Sequence, residues 1–252
     1  MKFVSLRKVA MATMLSMTLA TVAMPAVAEA ATSASISVSS TPTNLTTKSI
    51  VSNGTSYCAL LTSGGVDCWG SGFYGQLGNG QNNDSAKPVA VVSTSGSGTL
   101  SGVASLTSDY NGYCALLTSG GVDCWGSGGS GELGNGKFYT SGNQGSAIPV
   151  AVVSTSGSGT LSGVASLTSN GYGYCALLTS GGVDCWGYGG FGELGNGQSN
   201  DSAKPVAVVS TSGSGTLSGV ASLTGNHHGY CALNRPGFCR DKMSRLSQAA
   251  LV

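Results

Sequence analysis

Eight cysteines are the residues of this chain best suited to chemistry. Six stand in pairs ten positions apart, Cys58 with Cys68, Cys114 with Cys124 and Cys175 with Cys185, and two more, Cys231 and Cys239, lie eight apart. Such pairs are open to three chemistries: a cystine bridge, metal ligation or a free thiol. Ten-residue intervals with no histidine nearby do not resemble zinc-ligand spacing. The other reactive groups are sparse. Asp67, Asp123 and Asp184 recur singly at matching places, and the adjacent His227 and His228 are the only histidines, which reads as a solvated loop more readily than as a catalyst or ligand. No glycine loop followed by Lys-Ser or Lys-Thr is present, and the oxygen-rich residues 79–84, NGQNND, do not match a calcium-loop spacing. The expectation is therefore no catalytic residue, no metal and no cofactor.

The cysteines must be positioned by the stretch 57–70, YCALLTSGGVDCWG, which returns letter for letter at 113–126 and 174–187. A fourth copy begins at Tyr230 and departs after Leu233. Four apolar residues run into a Ser-Gly-Gly turn and out through Val-Asp-Cys-Trp, the pattern of a β-hairpin with glycine in its loop. Pairing Cys58 with Cys68 sets Ala59 against Asp67, Leu60 against Val66 and Leu61 against Gly65 around a three-residue loop. Opposed residues at a non-hydrogen-bonded site lie about 4.5 Å apart at Cα, within reach of a disulfide. Closing each such loop contributes about 2.8 kcal/mol on a chain-entropy estimate. Alternation places Leu60 and Val66 with the sulfurs on one face and Ala59, Leu61 and Trp69 on the other. Both faces are apolar, as in a sheet packed between sheets, so Trp69, Trp125 and Trp186 are expected in core packing rather than stacked on a sugar.

Corresponding cysteines are 56, 61 and 56 residues apart, the longer interval arising from five extra residues between Gly136 and Pro149. Each period holds four strand candidates, in the first copy 57–62, 66–69, 89–92 and 103–107, with glycine-rich turns between them. Nothing shows helical periodicity, so the units read as propeller blades and not as a helical solenoid. Charged residues make up 8% of the chain and glycines number 41, a composition that often signals disorder. Here the glycines recur at fixed places beside hairpin signals, which aperiodic low complexity does not produce.

The run CALLTSGGVDCWGSGFYGQLGNG at 58–80, followed by a Pro-Val and then a Gly-Val before the next Cys-Ala-Leu, resembles the repeat of the regulator of chromosome condensation family. The resemblance spans residues 46–233 and implies a β-propeller, usually of seven four-stranded blades. It also implies action by binding proteins, as in the GTPase regulators of nucleated cells and a secreted bacterial inhibitor of β-lactamase; neither activity transfers residue by residue. Glu132 and Glu193 replace Gln76 in the later copies, a mild departure. Number is the larger one. The fold expected is all-β, a partial β-propeller of about three and a half four-stranded blades built from tandem repeats of about 56 residues. A truncated array, or chains that associate with one another to complete a ring, would account for the open edges.

At the N-terminus, Lys2, Arg7 and Lys8 precede an uncharged stretch 9–27 and small residues that offer a cleavage point. Residues 1–30 read as an export signal, against the alternative of a retained anchor, and nothing later is long and apolar enough to span a membrane. Export to the periplasm, the cell surface or beyond, from a bacterial cell, agrees with the cysteine content. Residues 31–45, rich in Ser and Thr, read as a linker, and residues 234–252 as an atypical tail, NRPGFCRDKMSRLSQAALV, whose abrupt change of composition suits a reading-frame shift. A genuine cap is the alternative, with Cys239 reaching Cys231 across the Pro236–Gly237 turn. Between residues 31 and 233, four lysines face eight acids, so nucleic acid is not an expected partner.

The repeats differ from one another in only a few windows. After the tryptophan stand SGFYGQ, SGGSGE and YGGFGE; before the proline QNNDSAK, KFYTSGNQGSAI and QSNDSAK; ahead of the cysteine SDYNG, SNGYG and GNHHG. Their mixture of aromatic and small polar residues is that of binding loops, although drift after duplication produces the same variety. Candidate contacts are Phe73, Tyr74, Tyr110, Phe138, Tyr139, Tyr172, Tyr188, Phe191, His227 and His228. The reading reached is an exported, non-catalytic module that binds another protein through these loops, with cell-wall glycan binding as the alternative.

Overall fold

The computed structural model describes residues 46–212, 214–227, 229–234 and 238–242. Among the described residues there are strands and turns but no helix, and so no helix long and apolar enough to cross a membrane. The first sheet runs in sequence order through β1 (Thr47–Ser52), β2 (Ser56–Leu61), β3 (Val66–Gly70) and β4 (Ser85–Ala90). The second comprises β5 (Val103–Ser108), β6 (Gly112–Leu117), β7 (Val122–Ser127) and β8 (Gly145–Ala151). The third holds β9 (Val164–Ser169), β10 (Gly173–Leu178), β11 (Val183–Gly187) and β12 (Ser202–Ala207). The last has β13 (Val220–Asn226), β14 (Gly229–Asn234) and β15 (Phe238–Lys242). Every neighbouring pair is antiparallel. The chain is an open, partial propeller of tandem blades.

The hairpin register is the one the cysteine spacing demands. Cys58 faces Cys68, Ala59 faces Asp67 and Leu60 faces Val66, while Leu61 N–H donates to the Gly65 carbonyl at 2.9 Å. The three-residue loop ends on Gly64 at φ +83°, a left-handed conformation that glycine adopts without steric cost. Counting from the hydrogen-bonded Leu61–Gly65 pair puts the cysteines at a non-hydrogen-bonded site, with Cα atoms 4.1 Å apart and the sulfurs joined. Cys114–Cys124 and Cys175–Cys185 are bridged identically. Among the described residues no cysteine is free. The side chain of Cys239 lies outside the described residues, and with it the Cys231–Cys239 pairing.

Two expectations are corrected. The last strand of the first blade, the third candidate of the sequence period, starts earlier than the apolar run suggests, at Ser85 rather than Val89. Pro88 lacks an N–H, and β4 accommodates it because it is an outer strand, where that donor has no ladder partner to reach. Val92 instead leaves the sheet and bridges Thr99. The fourth unit has a third strand, β15, paired to β14 through Leu233↔Cys239 and Cys231↔Lys242, where only the first half of a blade was expected.

The core lies between blades. Cys58, Leu60, Val66, Cys68, Leu77 and Val91 of the first blade pack against Tyr113, Ala115 and Trp125 of the second. The second and third blades repeat this contact with Tyr174, Ala176 and Trp186, and the third and fourth with Tyr230 and Ala232. Trp125 and Trp186 are fully buried, and their indole N–H groups donate to the Gln76 and Glu132 carbonyls at 3.0 and 2.9 Å. Gly78 forms the floor under Trp125: a Cβ there would come within 2.9 Å of the indole. Trp69 departs from the core expectation. It is only half-buried, stacked at 5.8 Å on an exposed Tyr57, because it occupies the outer face of the first described blade.

Candidate functional site

The turns joining the first and second strands of successive blades present the least uniform residues. Asn53, Asp109 and Asn170 hold equivalent places there, five residues before the blade's first cysteine. Each uses a side-chain oxygen to hold its turn, a local Asx interaction. Asn53 Oδ1 accepts from the N–H groups of Thr55 and Ser56 at 3.1 and 2.8 Å, Asp109 Oδ1 from Asn111 N–H at 3.0 Å, and Asn170 Oδ1 from Tyr172 N–H at 2.9 Å. The buried tyrosine of the following blade locks each turn. Tyr113 hydroxyl meets Ser56 Oγ at 3.0 Å, Asp109 N–H donates to the Tyr174 hydroxyl at 3.0 Å, and the Tyr230 hydroxyl donates to Asn170 Oδ1 at 3.2 Å. Burial pushes the Tyr113 phenol up to about 12 and raises those of Tyr174 and Tyr230 as well. All three are neutral donors and acceptors at physiological pH.

These turns, with the segment that follows β11, carry an aromatic row. The rings of Tyr110 and Tyr172 meet at 4.9 Å, Tyr110 stacks on His227 at 5.4 Å with a hydroxyl–Nδ1 contact, Tyr172 lies 6.1 Å from Tyr188, and Tyr188 lies 6.0 Å from Phe191. Tyr110, Tyr172 and Phe191 are exposed by 39, 48 and 71%; a contiguous exposed apolar surface is where soluble proteins meet partners. Gly171 makes room for the row. It sits at φ +94°, and a Cβ on it would fall 2.8 Å from the Tyr110 ring.

Five of the ten candidate contacts thus converge, from the second, third and fourth blades. Phe73 and Tyr74 form a separate edge-to-face pair at 5.0 Å. Phe138 is exposed and belongs to no ring pair among the described residues. Tyr139 is partly buried against the core between the second and third blades, its hydroxyl accepting from Asn135 Nδ2 at 2.9 Å, so it serves packing. His228 lies outside the described residues.

Beneath the tyrosines opens a cleft of about 420 Å³ whose wall includes Asn53, Asp109, Tyr110, Glu132, Gly171 and Tyr172. Asp109 is 6% exposed, and burial, reinforced by the nearby Glu132 charge, pushes its carboxyl up to about 7. Burial raises Glu132 too, although its Oε2 accepts from Ser130 N–H at 2.8 Å. Residue-type reasoning passed over both acids because neither sits in a catalytic motif. The signal that finds them is internal comparison: Asp109 replaces Asn53 and Asn170, and Glu132 replaces Gln76. Asp123 and Asp184, raised by burial, remain one per blade inside their hairpins. Among the described residues no group of three or more His, Cys, Asp or Glu side chains is placed to hold a metal ion.

Comparison with known proteins bears on the frame that carries this site. The regulator of chromosome condensation (RCC1) repeat model matches residues 63–105. The E3 ubiquitin-protein ligase HERC2 of Mus musculus is 30% identical over 182 residues, 72% of this chain and 4% of that protein, and that of Homo sapiens is equally similar. Prp20p from Saccharomyces cerevisiae, whose structure was described with its binding to Gsp1p and histones, superposes with a TM-score of 0.58 at 16% identity, over 73% of this chain and 42% of its own. The repeat at residues 63–105 is of the RCC1 type, and the tandem blades have the RCC1-like fold. Human WBSCR16 gives the same TM-score at 23% identity, over 74% of this chain and 45% of its own. At these identities the solved RCC1-like structures speak to the fold alone. The chain spans 4% of the curated ligases it matches, and ligase activity belongs to those proteins.

Proposed function

We propose that this RCC1-like chain is an exported, non-catalytic binding module that recognises a protein partner through the row His227–Tyr110–Tyr172–Tyr188–Phe191. The observation that carries the reading is the row itself: rigid rings from three blades meet on one exposed surface at the varied turns. Rigid aromatics supply large contact area at small entropic cost, and such residues dominate interface energetics. Protein binding by RCC1-like propellers, named for Prp20p with Gsp1p and histones and for yeast RCC1 with Kap60, supports the same class of activity. Three blade disulfides suit an oxidising compartment, in agreement with the signal-like residues 1–30.

The test is affinity capture from the extracytoplasmic fraction with oxidised protein, followed by reconstitution from the purified partner. Replacing Tyr110 and Tyr172 together by Ala should weaken the reconstituted complex by about a hundredfold, on the scale of interface hot spots, with the three bridges intact. A partner bound equally by wild type and variant would sink the reading. A glycan array run in parallel decides the alternative, since sugar binding lost in the same variant, with no protein captured, would replace a protein partner by a glycan.

A further inference from the structure

Asp109 holds a position where a neutral amide does the structural task in the neighbouring blades, and Glu132 one where a neutral amide does it in the first blade, Glu193 keeping the acid in the third. Asn53 and Asn170 hold the same turn as Asp109, and Gln76 Oε1 accepts from Tyr74 N–H at 2.8 Å as Glu132 Oε2 does from Ser130. The negative charge is therefore surplus to the fold. It is also unbalanced: among the described residues no Lys or His is named with the groups that act on either carboxyl. Buried carboxylates left without a counter-charge are costly.

An independent feature of the same cleft points to a ligand. Asn53 is 8% exposed, its Oδ1 takes four donors from Thr55 and Ser56, and its Nδ2 has no hydrogen-bond partner among the described residues. The four donors fix which end of the amide is oxygen, so a buried N–H donor on this wall awaits an acceptor. An occupant that fits must bring positive charge to Asp109 and Glu132, an acceptor to Asn53, and a surface suited to the Tyr110 and Tyr172 rings. A metal ion brings no acceptor, and a neutral sugar gains nothing from an acid at Asp109 over the amides Asn53 and Asn170 that hold its place in the first and third blades.

We infer that the cleft receives an arginine side chain of the protein partner, its guanidinium held by Asp109 and Glu132 against Tyr110 and Tyr172, with a main-chain carbonyl beside it accepting from Asn53 Nδ2. Guanidinium is planar, stacks on aromatic faces and pairs with carboxylates through fixed donors. The inference rests on the protein-binding reading and deepens it.

The probe is N-acetyl-L-arginine amide, titrated into the oxidised full chain and followed by NMR, with the citrulline analogue as the uncharged isostere. Saturable shifts at the Asn53 amide and at the Tyr110 and Tyr172 rings are expected, with citrulline at least about tenfold weaker. Asp109→Asn and Glu132→Gln should each weaken arginine binding by about tenfold or more while the Trp125 and Trp186 signals stay in place, which separates lost binding from lost folding. Citrulline equal to arginine, binding untouched by both variants, or N-acetylglucosamine saturating the cleft where arginine does not, would each overturn the inference. The two readings fail separately. A partner lost from the tyrosine variant but held fully by Asp109→Asn and Glu132→Gln removes the arginine alone, whereas arginine binding beside a partner indifferent to the tyrosines removes the protein-binding row.

Discussion

Replacing Asp109 by Asn should stabilise the protein by about 4 kcal/mol at pH 8 and leave it almost unchanged at pH 4. The carboxyl titrates near 3.8 when exposed and at about 7 in the folded chain, so between those values the folded state holds the proton and the unfolded state has lost it. Stability therefore falls as pH rises through this window. The loss is complete once pH exceeds the folded value, where a charged carboxylate is buried beside Glu132 and among the Tyr113, Tyr174 and Tyr230 phenols that also feel it. Asn abolishes the titration and keeps the turn, as Asn170 does one blade later. Urea unfolding of both proteins from pH 4 to 8 measures this directly. Parallel curves would show that Asp109 ionises without cost. Glu132, Asp123 and Asp184 shift in the same direction, so the Asp109→Asn variant retains a shallower slope of the same sign. A stabilising change that weakens arginine binding would be the ordinary conflict between a site's chemistry and its fold.

The second large effect is in the blade interfaces. Trp125→Ala or Trp186→Ala should cost about 3–5 kcal/mol, the range for emptying a buried aromatic site, because each ring is fully buried and its indole N–H is bonded to the preceding blade. Trp69→Ala, on the same strand of an identical sequence block, should cost clearly less, since no described blade covers Trp69. Denaturant midpoints of the three variants give the order. Equal losses at all three positions would mean that the tryptophans stabilise their own hairpins and not the stacking of blades.

Much of this frame is legible in the residues. Cystine spacing across a Gly-Gly turn, period-2 alternation and repetition together dictate the hairpin register, the two apolar faces and the order of the strands. Local rules fail where the outcome depends on tertiary position. Pro88 breaks a central strand but not an edge, and Trp69 and Trp125 share their neighbours in sequence while only one is covered by a blade. The site was harder to read for the same reason. Tyr110, Tyr172, Tyr188 and His227 are recognisable as varied aromatics, yet their meeting depends on how successive turns align across blades, and Tyr139, equally variable, turns inward. Asp109 and Glu132 are single-atom departures from Asn and Gln, visible only by aligning the repeats and informative only once burial is known.

The binding surface exists only if turns from separate blades meet. Nuclear Overhauser contacts between assigned aromatic rings in the oxidised protein test it most directly. Cross-peaks joining Tyr110 to Tyr172, Tyr110 to His227 and Tyr172 to Tyr188 are the expected result. Their absence from a sample that shows the Tyr113–Trp125 and Tyr174–Trp186 contacts would mean that the blades form and the row does not.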